Sequence, residues 1–143
     1  MNSTFETFGW PATKIAELNH WAVLLRPQQP TLGSLVLACK QPAQAFSDVD
    51  AAGMAEMKQA IDGIEAMLRA VISYDKINYL MLMMVDPDVH FHVLPRYDGV
   101  RAVEGIEIAD AGWPGPPALA QAHALTEAET ARMVQTLSAH WPG

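Results

Sequence analysis

Short apolar runs separated by turn-forming residues occupy the first part of the chain. The runs His20–Arg26 and Gly33–Cys39 are separated by Pro27–Pro30. Because both runs are short and bounded by residues that end hydrogen-bonded ladders, we predict that they are two buried strands. Ahead of them, Pro11–Leu18 is predicted to form a short helix with Pro11 in its first turn.

A long amphipathic helix is predicted to follow. Apolar side chains recur there at alternating spacings of three and four residues, which places them on one helical stripe. They are Met54, Met57, Ile61, Ile64, Leu68 and Val71. Ser47 or Asp50 is placed to cap the start of this helix. Methionine fills irregular gaps in cores, so we interpret the stripe as core packing.

A hairpin and a final helix are predicted in the second half. Lys76–Met84 reads as a third strand, Asp86–Pro87 as a tight turn, and Val89–Leu94 as a fourth strand that Pro95 stops. Thr126 with Glu129 has the spacing of a capping box, which predicts a helix from Glu127 to about Ala139. Because strands and helices do not alternate regularly, the predicted class is α+β.

Composition narrows the possible functions. Half of the 143 residues are hydrophobic and 17% are charged, which indicates a folded chain, and we expect one domain over residues 1–143. The net charge of -7 argues against broad contact with nucleic acid or an anionic membrane. The lone Cys39 excludes an intrachain disulfide, and neither a signal peptide nor a membrane span is evident. We therefore expect a soluble, cytoplasmic protein.

The segment before Pro95 carries the candidate chemistry. Side chains alternate faces along a strand, so Asp88, His90 and His92 are predicted to share one face, with apolar residues on the other. Two imidazoles beside a carboxylate can support nucleophilic, acid–base or metal chemistry. A shared metal would need a third ligand from elsewhere, because residues four apart on a strand are about 13 Å apart. A purely structural histidine pair is a further alternative that spacing leaves open.

The stretch His90-Phe-His92-Val-Leu-Pro-Arg96 resembles the signature of the histidine-triad proteins, in which three histidines alternate with apolar residues. Leu32–Val49 also looks like the strand and following loop of that family, especially of its diadenosine-polyphosphate hydrolase branch, which includes the fragile histidine triad proteins. The resemblance covers roughly His20 to Tyr97. It implies an antiparallel sheet of about five strands, one long helix packed on it and a C-terminal helix.

The resemblance also implies a reaction. His90 holds the position of the histidine that attacks the α-phosphate of a nucleotide and forms a nucleotidyl-histidine intermediate, which water then hydrolyses. His92 would hydrogen-bond near the phosphate and assist the leaving group. Arg26, Ser34 and Arg96 are the candidate nucleotide-binding residues. The implied ligand is a purine nucleotide or a dinucleoside polyphosphate, with no cofactor and no obligatory metal, and the implied assembly is a two-fold homodimer.

Two positions and one loop depart from the family pattern. Asp88 replaces the first histidine of the triad, and Ser34 replaces a further histidine. The family's glycine- and glutamine-containing loop is missing, and Val85–Pro87 is the only connection left before Asp88. Asp88 is a candidate catalytic residue, whose carboxylate would contact His90 or hold a neighbouring histidine protonated. The alternative function is a catalytically weak module that binds purine nucleotides.

Overall fold

A five-stranded antiparallel sheet forms the centre of the computed structural model, which describes residues 1–143. In chain order the strands are β1 (Lys14–Glu17), β2 (Trp21–Leu25), β3 (Gln28–Gln29), β4 (Leu35–Cys39), β5 (Lys76–Leu80), β6 (His90–Arg96), β7 (Val100–Val103), β8 (Ile106–Ala109) and β9 (His123–Ala124). The helices are α1 (Ser3–Thr7), α2 (Ala51–Val71) and α3 (Glu127–Ala139). The main sheet has the order β1-β2-β4-β6-β5, while β3–β9 and β7–β8 form two separate ribbons. The predicted α+β class and the predicted sheet are confirmed.

The two faces of the sheet are covered differently. One face forms the main core with α2 and α3, where Ile64, Leu68 and Leu137 are buried. The other face carries a smaller apolar cluster, which includes Leu24 and Val36 and is covered by Phe5 of α1. Because both faces are covered, all five residues of β2 and of β4 are buried. This explains why these strands are continuously apolar rather than alternating.

Local capping signals predicted the helix ends well. The Asp50 carboxylate accepts a hydrogen bond from the Gly53 amide at 2.8 Å and caps α2. The Thr126–Glu129 capping box begins α3, which ends at Ala139 as predicted. No helix combines the length and hydropathy that a transmembrane span requires.

The predicted helix over Pro11–Leu18 is wrong. Lys14–Glu17 is instead the edge strand β1, which pairs antiparallel with β2, and the helix lies earlier, where the Asn2 side chain caps α1. Proline at position 11 is compatible with a helical first turn, but the backbone pairing with β2 is a long-range interaction that local preference does not contain.

The hairpin prediction is correct in its pairing and wrong in its limits. β5 and β6 pair antiparallel, but β5 ends at Leu80, so residues 81–89 form a loop instead of a tight turn. β6 continues through Pro95, which is tolerated because the pairing of β4 with β6 ends at Val93. Beyond Val93 only β5 pairs with β6, so the backbone N–H that Pro95 lacks does not break a ladder on the β4 side.

The predicted stripe of α2 is partly wrong. Ile64 and Leu68 are fully buried, but Met54 is 40% exposed near the helix start, and Ala60 and Met67 are buried instead. Gly63 also lies in the interface, where a Cβ atom would come 2.5 Å from the ring of Trp141. The glycine therefore permits the close approach of the C-terminal segment to α2.

The sequence analysis also missed the ribbon of β7 and β8. Its turn consists of Glu104 and Gly105, both with positive φ, at 53° and 78°. Two such residues in succession are typical of the tight turns that connect twisted strands. Glutamate is an unusual residue at such a position, so the turn gave no clear signal in the sequence.

Candidate functional site

His90 and His92 lie side by side on β6, the strand between β4 and β5. Their rings are 5.2 Å apart and nearly perpendicular. In the pairing with β4 they lie opposite Ala38 and Val36, on the sheet face that α1 covers, while Val93 belongs to the main core. The prediction of one shared strand face is correct for the two histidines and wrong for Asp88, which lies before the start of β6 at His90.

A small cavity lies against the two rings. Its volume is about 220 Å³, and besides His90 and His92 it is lined by Phe8, Asp86 and the apolar segment Leu82–Val85. The ring centroid of Phe8 lies 6.0 Å from that of His90 and 5.7 Å from that of His92. The N-terminal segment therefore covers both histidines, which are 3% and 8% exposed.

The orientation of the His90 ring is set by the main chain just before it. Nδ1 of His90 donates to the main-chain oxygen of Asp88 at 2.8 Å, since a carbonyl oxygen can only accept. In the neutral ring, the lone pair is then on Nε2. A neutral imidazole with a free Nε2 lone pair is a competent nucleophile.

His92 has a different neighbour. Nε of Arg26 lies 3.3 Å from Nδ1 of His92, across 66 residues of sequence. Burial, followed by the positive charge of Arg26 and by His90, lowers the pKa of His92 to about 4, and only Asp86 opposes this. His92 is therefore neutral near pH 7. The expectation that a carboxylate holds a histidine cationic here is not met, because the pKa of His92 shifts in the opposite direction.

Asp86, rather than Asp88, is the carboxylate of the cavity. Asp86 lines it and accepts a hydrogen bond from the Thr7 hydroxyl at 3.2 Å. Asp88 is 8% exposed, its carboxylate makes no hydrogen bond within the protein, and it meets His90 only through its main-chain oxygen. The sequence analysis assigned Asp86 to a tight turn before the strand of the histidines and so did not consider it as a cavity residue. In the structure Asp86 belongs to the longer loop of residues 81–89.

Arg96 does not reach the histidine cavity. Its guanidinium is buried and forms a two-pronged ion pair with Asp110, at 2.7 and 3.1 Å, and it also donates to Asn78 and to the Gly115 main chain. These contacts fasten the segment after β8 onto β6. The guanidinium also borders a separate cavity of about 360 Å³ beside Trp113.

Ser34 likewise lies away from the cavity. Its hydroxyl is fully buried and donates to the main-chain oxygen of Thr31 at 2.7 Å, while its amide donates to the side chain of Gln29. These bonds shape the turn between β3 and β4. Of the six predicted site residues, the structure brings together His90, His92 and Arg26, with Asp88 contributing through its backbone. No three His, Cys, Asp or Glu side chains are grouped to hold a metal ion.

Comparison with solved structures identifies the fold. A histidine triad protein from Bradyrhizobium japonicum superposes with a TM-score of 0.75 at 22% identity, covering 99% of this chain and 96% of that chain. A histidine triad protein from Sinorhizobium meliloti gives 0.77 at 19% identity, with coverages of 98% and 95%. A protein from Sulfolobus tokodaii, described as a hypothetical histidine triad nucleotide-binding protein, gives 0.65 at 14% identity, with coverages of 90% and 82%.

These structures share one class, and the chain has the histidine-triad fold. The sequence matches no family model, and the search of curated proteins gives no match.

Proposed function

We propose that this protein is a nucleotide hydrolase or nucleotidyl transferase in which His90 attacks the α-phosphate of a phosphoanhydride or phosphoramidate. The observation that carries the proposal is the bond from Nδ1 of His90 to the Asp88 main-chain oxygen, which leaves Nε2 free on a ring that lines the cavity. The shared fold and the histidine signature support the choice of a nucleotide as substrate.

The reaction has two balanced steps. The Nε2 lone pair of His90 forms a bond to phosphorus, and the electron pair of the bond to the leaving group departs with that group. Water then attacks the same phosphorus and loses a proton to solvent, the nitrogen–phosphorus bond breaks, and its electron pair returns to Nε2. Division into two displacements lowers each barrier, and a hydrogen-bond donor beside the phosphate stabilises the charge that develops.

Substrate entry requires a local movement. Cavities that bind small molecules usually measure about 300–1,000 Å³, and the cavity at the histidines is about 220 Å³. Phe8 and the part of the loop around Met84 and Val85 are the walls that can move, because Phe8 is only partly buried and Met84 and Val85 are 85% and 90% exposed. We infer that Phe8 leaves the histidine rings when a nucleotide binds.

Turnover assays test the proposal. Purified protein is incubated with diadenosine polyphosphates and with an adenosine phosphoramidate, and nucleotide release is measured for wild type, His90→Ala and the exposed-histidine control His140→Ala. We expect His90→Ala to reduce kcat by at least about 10³-fold, since it removes the nucleophile, and the control to retain activity. Unchanged turnover by His90→Ala would exclude the mechanism.

The second candidate is a purine-nucleotide-binding module with negligible turnover. It is favoured by the Asp86 carboxylate in the cavity and by the covered histidines. Calorimetry with AMP and GMP, run beside the turnover assays, separates the candidates. Binding without turnover across the substrate panel selects the module, and an absence of nucleotide binding contradicts both.

We also propose a two-fold homodimer. β5 is an outer strand of the main sheet with one hydrogen-bonded neighbour, and the loop after it exposes Leu82, Met84 and Val85. Two-fold dimers are the commonest assembly of small soluble proteins, and an outer strand with adjoining exposed apolar side chains can pair with its copy in a second chain. Light scattering at micromolar concentration is expected to give the dimer mass, and a monomer mass contradicts the assembly.

A further inference from the structure

We propose that Arg26 is a positioning residue that holds His92 as a neutral imidazole with its proton on Nε2, so that His92 donates a hydrogen bond while His90 reacts. The consequence for turnover rests on the proposed function. The protonation state of His92 itself can be measured without any substrate.

The guanidinium of Arg26 is itself held in place. Its Nη1 donates to the main-chain oxygen of Gln28 at 2.6 Å. The backbone of Arg26 is fixed as well, because its amide donates to Ser34 at 3.0 Å and its oxygen accepts from the Gln29 side chain at 2.6 Å. With backbone and guanidinium both held, Nε is directed at Nδ1 of His92.

The chemistry of the two groups fixes where the proton of His92 lies. A guanidinium carries only donors and remains protonated in proteins, so Nδ1 of His92 must supply the lone pair of the 3.3 Å contact. In a neutral imidazole the single proton is then on Nε2. Protonation of Nδ1 would break this contact and place two donors against each other.

The two histidines therefore have complementary forms. His90 has its proton on Nδ1 and its lone pair on Nε2, whereas His92 has its lone pair on Nδ1 and its proton on Nε2. One ring is set as a nucleophile and the neighbouring ring, 5.2 Å away, as a donor. This pairing comes from two different devices, a main-chain oxygen for His90 and an arginine side chain for His92.

The charged and titratable groups around His92 favour its neutral form. Burial disfavours a positive charge on the ring most strongly, the charge of Arg26 and the neighbouring His90 disfavour it further, and only Asp86 across the cavity favours it. Their sum leaves His92 neutral throughout the physiological range. His92 therefore stabilises a phosphoryl oxygen or the leaving atom by a hydrogen bond and keeps its proton, and the leaving group takes its proton from solvent.

Two substitutions at Arg26 separate its charge from its hydrogen bond. In Arg26→Gln the side-chain amide nitrogen occupies the same position along the side chain as Nε of arginine, so a donor remains without the charge. In Arg26→Met a methyl group occupies that position, so donor and charge are both lost. The matched control is Arg101→Met, because the Arg101 guanidinium donates to the main-chain oxygens of Ile72 and Ser73, outside the cavity.

Nitrogen NMR of ¹⁵N-histidine-labelled protein, titrated between pH 8 and pH 4, reads the His92 ring directly. We expect wild-type His92 to keep Nδ1 unprotonated down to about pH 5, and its pKa to rise by about one unit in Arg26→Met. A smaller rise is expected in Arg26→Gln and none in Arg101→Met. At pH 6, where His92 stays mostly neutral in every variant, kcat with an adenosine phosphoramidate should fall about two- to threefold in Arg26→Met, because the proton of the neutral ring is no longer held on Nε2, and less in Arg26→Gln.

Two results overturn the assignment of Arg26: a wild-type His92 that carries its proton on Nδ1, and an Arg26→Met protein whose His92 titrates as in wild type. Arg26→Gln, which retains the donor, provides the measurement if Arg26→Met does not fold. A titration as expected without turnover in any protein supports the assignment and contradicts the proposed function alone.

Discussion

His92 shows how neighbours decide the behaviour of a single side chain. It has the same sequence context as His90, with apolar residues on both sides, yet burial and the charge of Arg26 lower the pKa of His92, while the Asp88 main chain orients the ring of His90. Because both residues are histidines, their different behaviour comes from their surroundings. The difference lies in one arginine and one carbonyl oxygen, and both have consequences that can be measured.

The lowered pKa of His92 predicts a specific acid sensitivity. A buried histidine with a folded-state pKa near 4 and an ordinary value near 6.5 binds fewer protons folded than unfolded. Its contribution to stability is complete above pH 6.5 and decreases as the pH falls from 6.5 to 4, by up to roughly 3 kcal/mol. Denaturant unfolding at both pH values should show a smaller acid loss in His92→Gln than in wild type. An equal loss in the two proteins contradicts this pKa.

The two aspartates of the loop are predicted to behave differently. Asp86→Asn keeps an acceptor for the Thr7 hydroxyl and removes a negative charge from the cavity, so AMP should bind about threefold more tightly. Asp88→Asn should leave AMP affinity within about twofold, because only its main-chain oxygen contacts His90. Calorimetry of AMP binding to both variants and to wild type measures these affinities. A large loss of binding in Asp88→Asn, with no change in Asp86→Asn, reverses the assignment.

At the scale of elements, the segment around α1 controls access to β6. Phe5 anchors it in the apolar cluster, and Phe8 covers both histidine rings. Each aromatic contact is worth about 0.5–1.5 kcal/mol and must be broken on binding. Phe8→Ala should therefore lower the Kd for AMP about tenfold. The control Phe46→Ala truncates an aromatic that packs on Phe91 outside the cavity. Weaker AMP binding by Phe8→Ala would show that the ring belongs to the nucleotide site.

Gly63 predicts an effect whose sign depends on Trp141. In the wild-type background Gly63→Ala places a methyl group against the Trp141 ring and should destabilise the protein by about 1–3 kcal/mol. In a Trp141→Ala background the same change should stabilise it by about 1 kcal/mol, because alanine is the better helix former. Urea unfolding of wild type, the two single variants and the double variant completes a double-mutant cycle for Gly63 and Trp141. The same sign in both backgrounds contradicts the close packing described for this helix.

Features that depend on neighbouring residues could be predicted from the sequence, and features that depend on distant parts of the chain could not. The caps of α2 and α3 depend on residues three apart, and the shared face of His90 and His92 on residues two apart, so local pattern was sufficient. β1 depends on pairing with β2, and the end of β5 on where the loop leaves the sheet. Phe8 and Arg26 reach β6 from distant parts of the chain, and no local signal connects them with it.

At the scale of the whole molecule, the two faces of the sheet have different roles: one holds the main core and the other the candidate site. The face under α2 and α3 holds the larger core, whereas the opposite face holds both histidines beneath a thin covering of α1 and Phe8. The protein carries a net charge of -7. Arg26 places a positive charge beside a cavity that is lined by apolar residues, two histidines and Asp86. A small anionic ligand held near one cation is compatible with this balance, whereas an extended polyanion is not.

The central claim is that His90 becomes covalently attached to a nucleotide. The most direct measurement is mass spectrometry of the protein stopped within its first turnover of an adenosine phosphoramidate, under alkaline conditions that preserve a phosphorus–nitrogen bond. The account predicts a mass increase of one adenylyl group, located on the peptide that contains His90 and missing from His90→Ala. Turnover without any adduct, at the same rate in wild type and in His90→Ala, would contradict it.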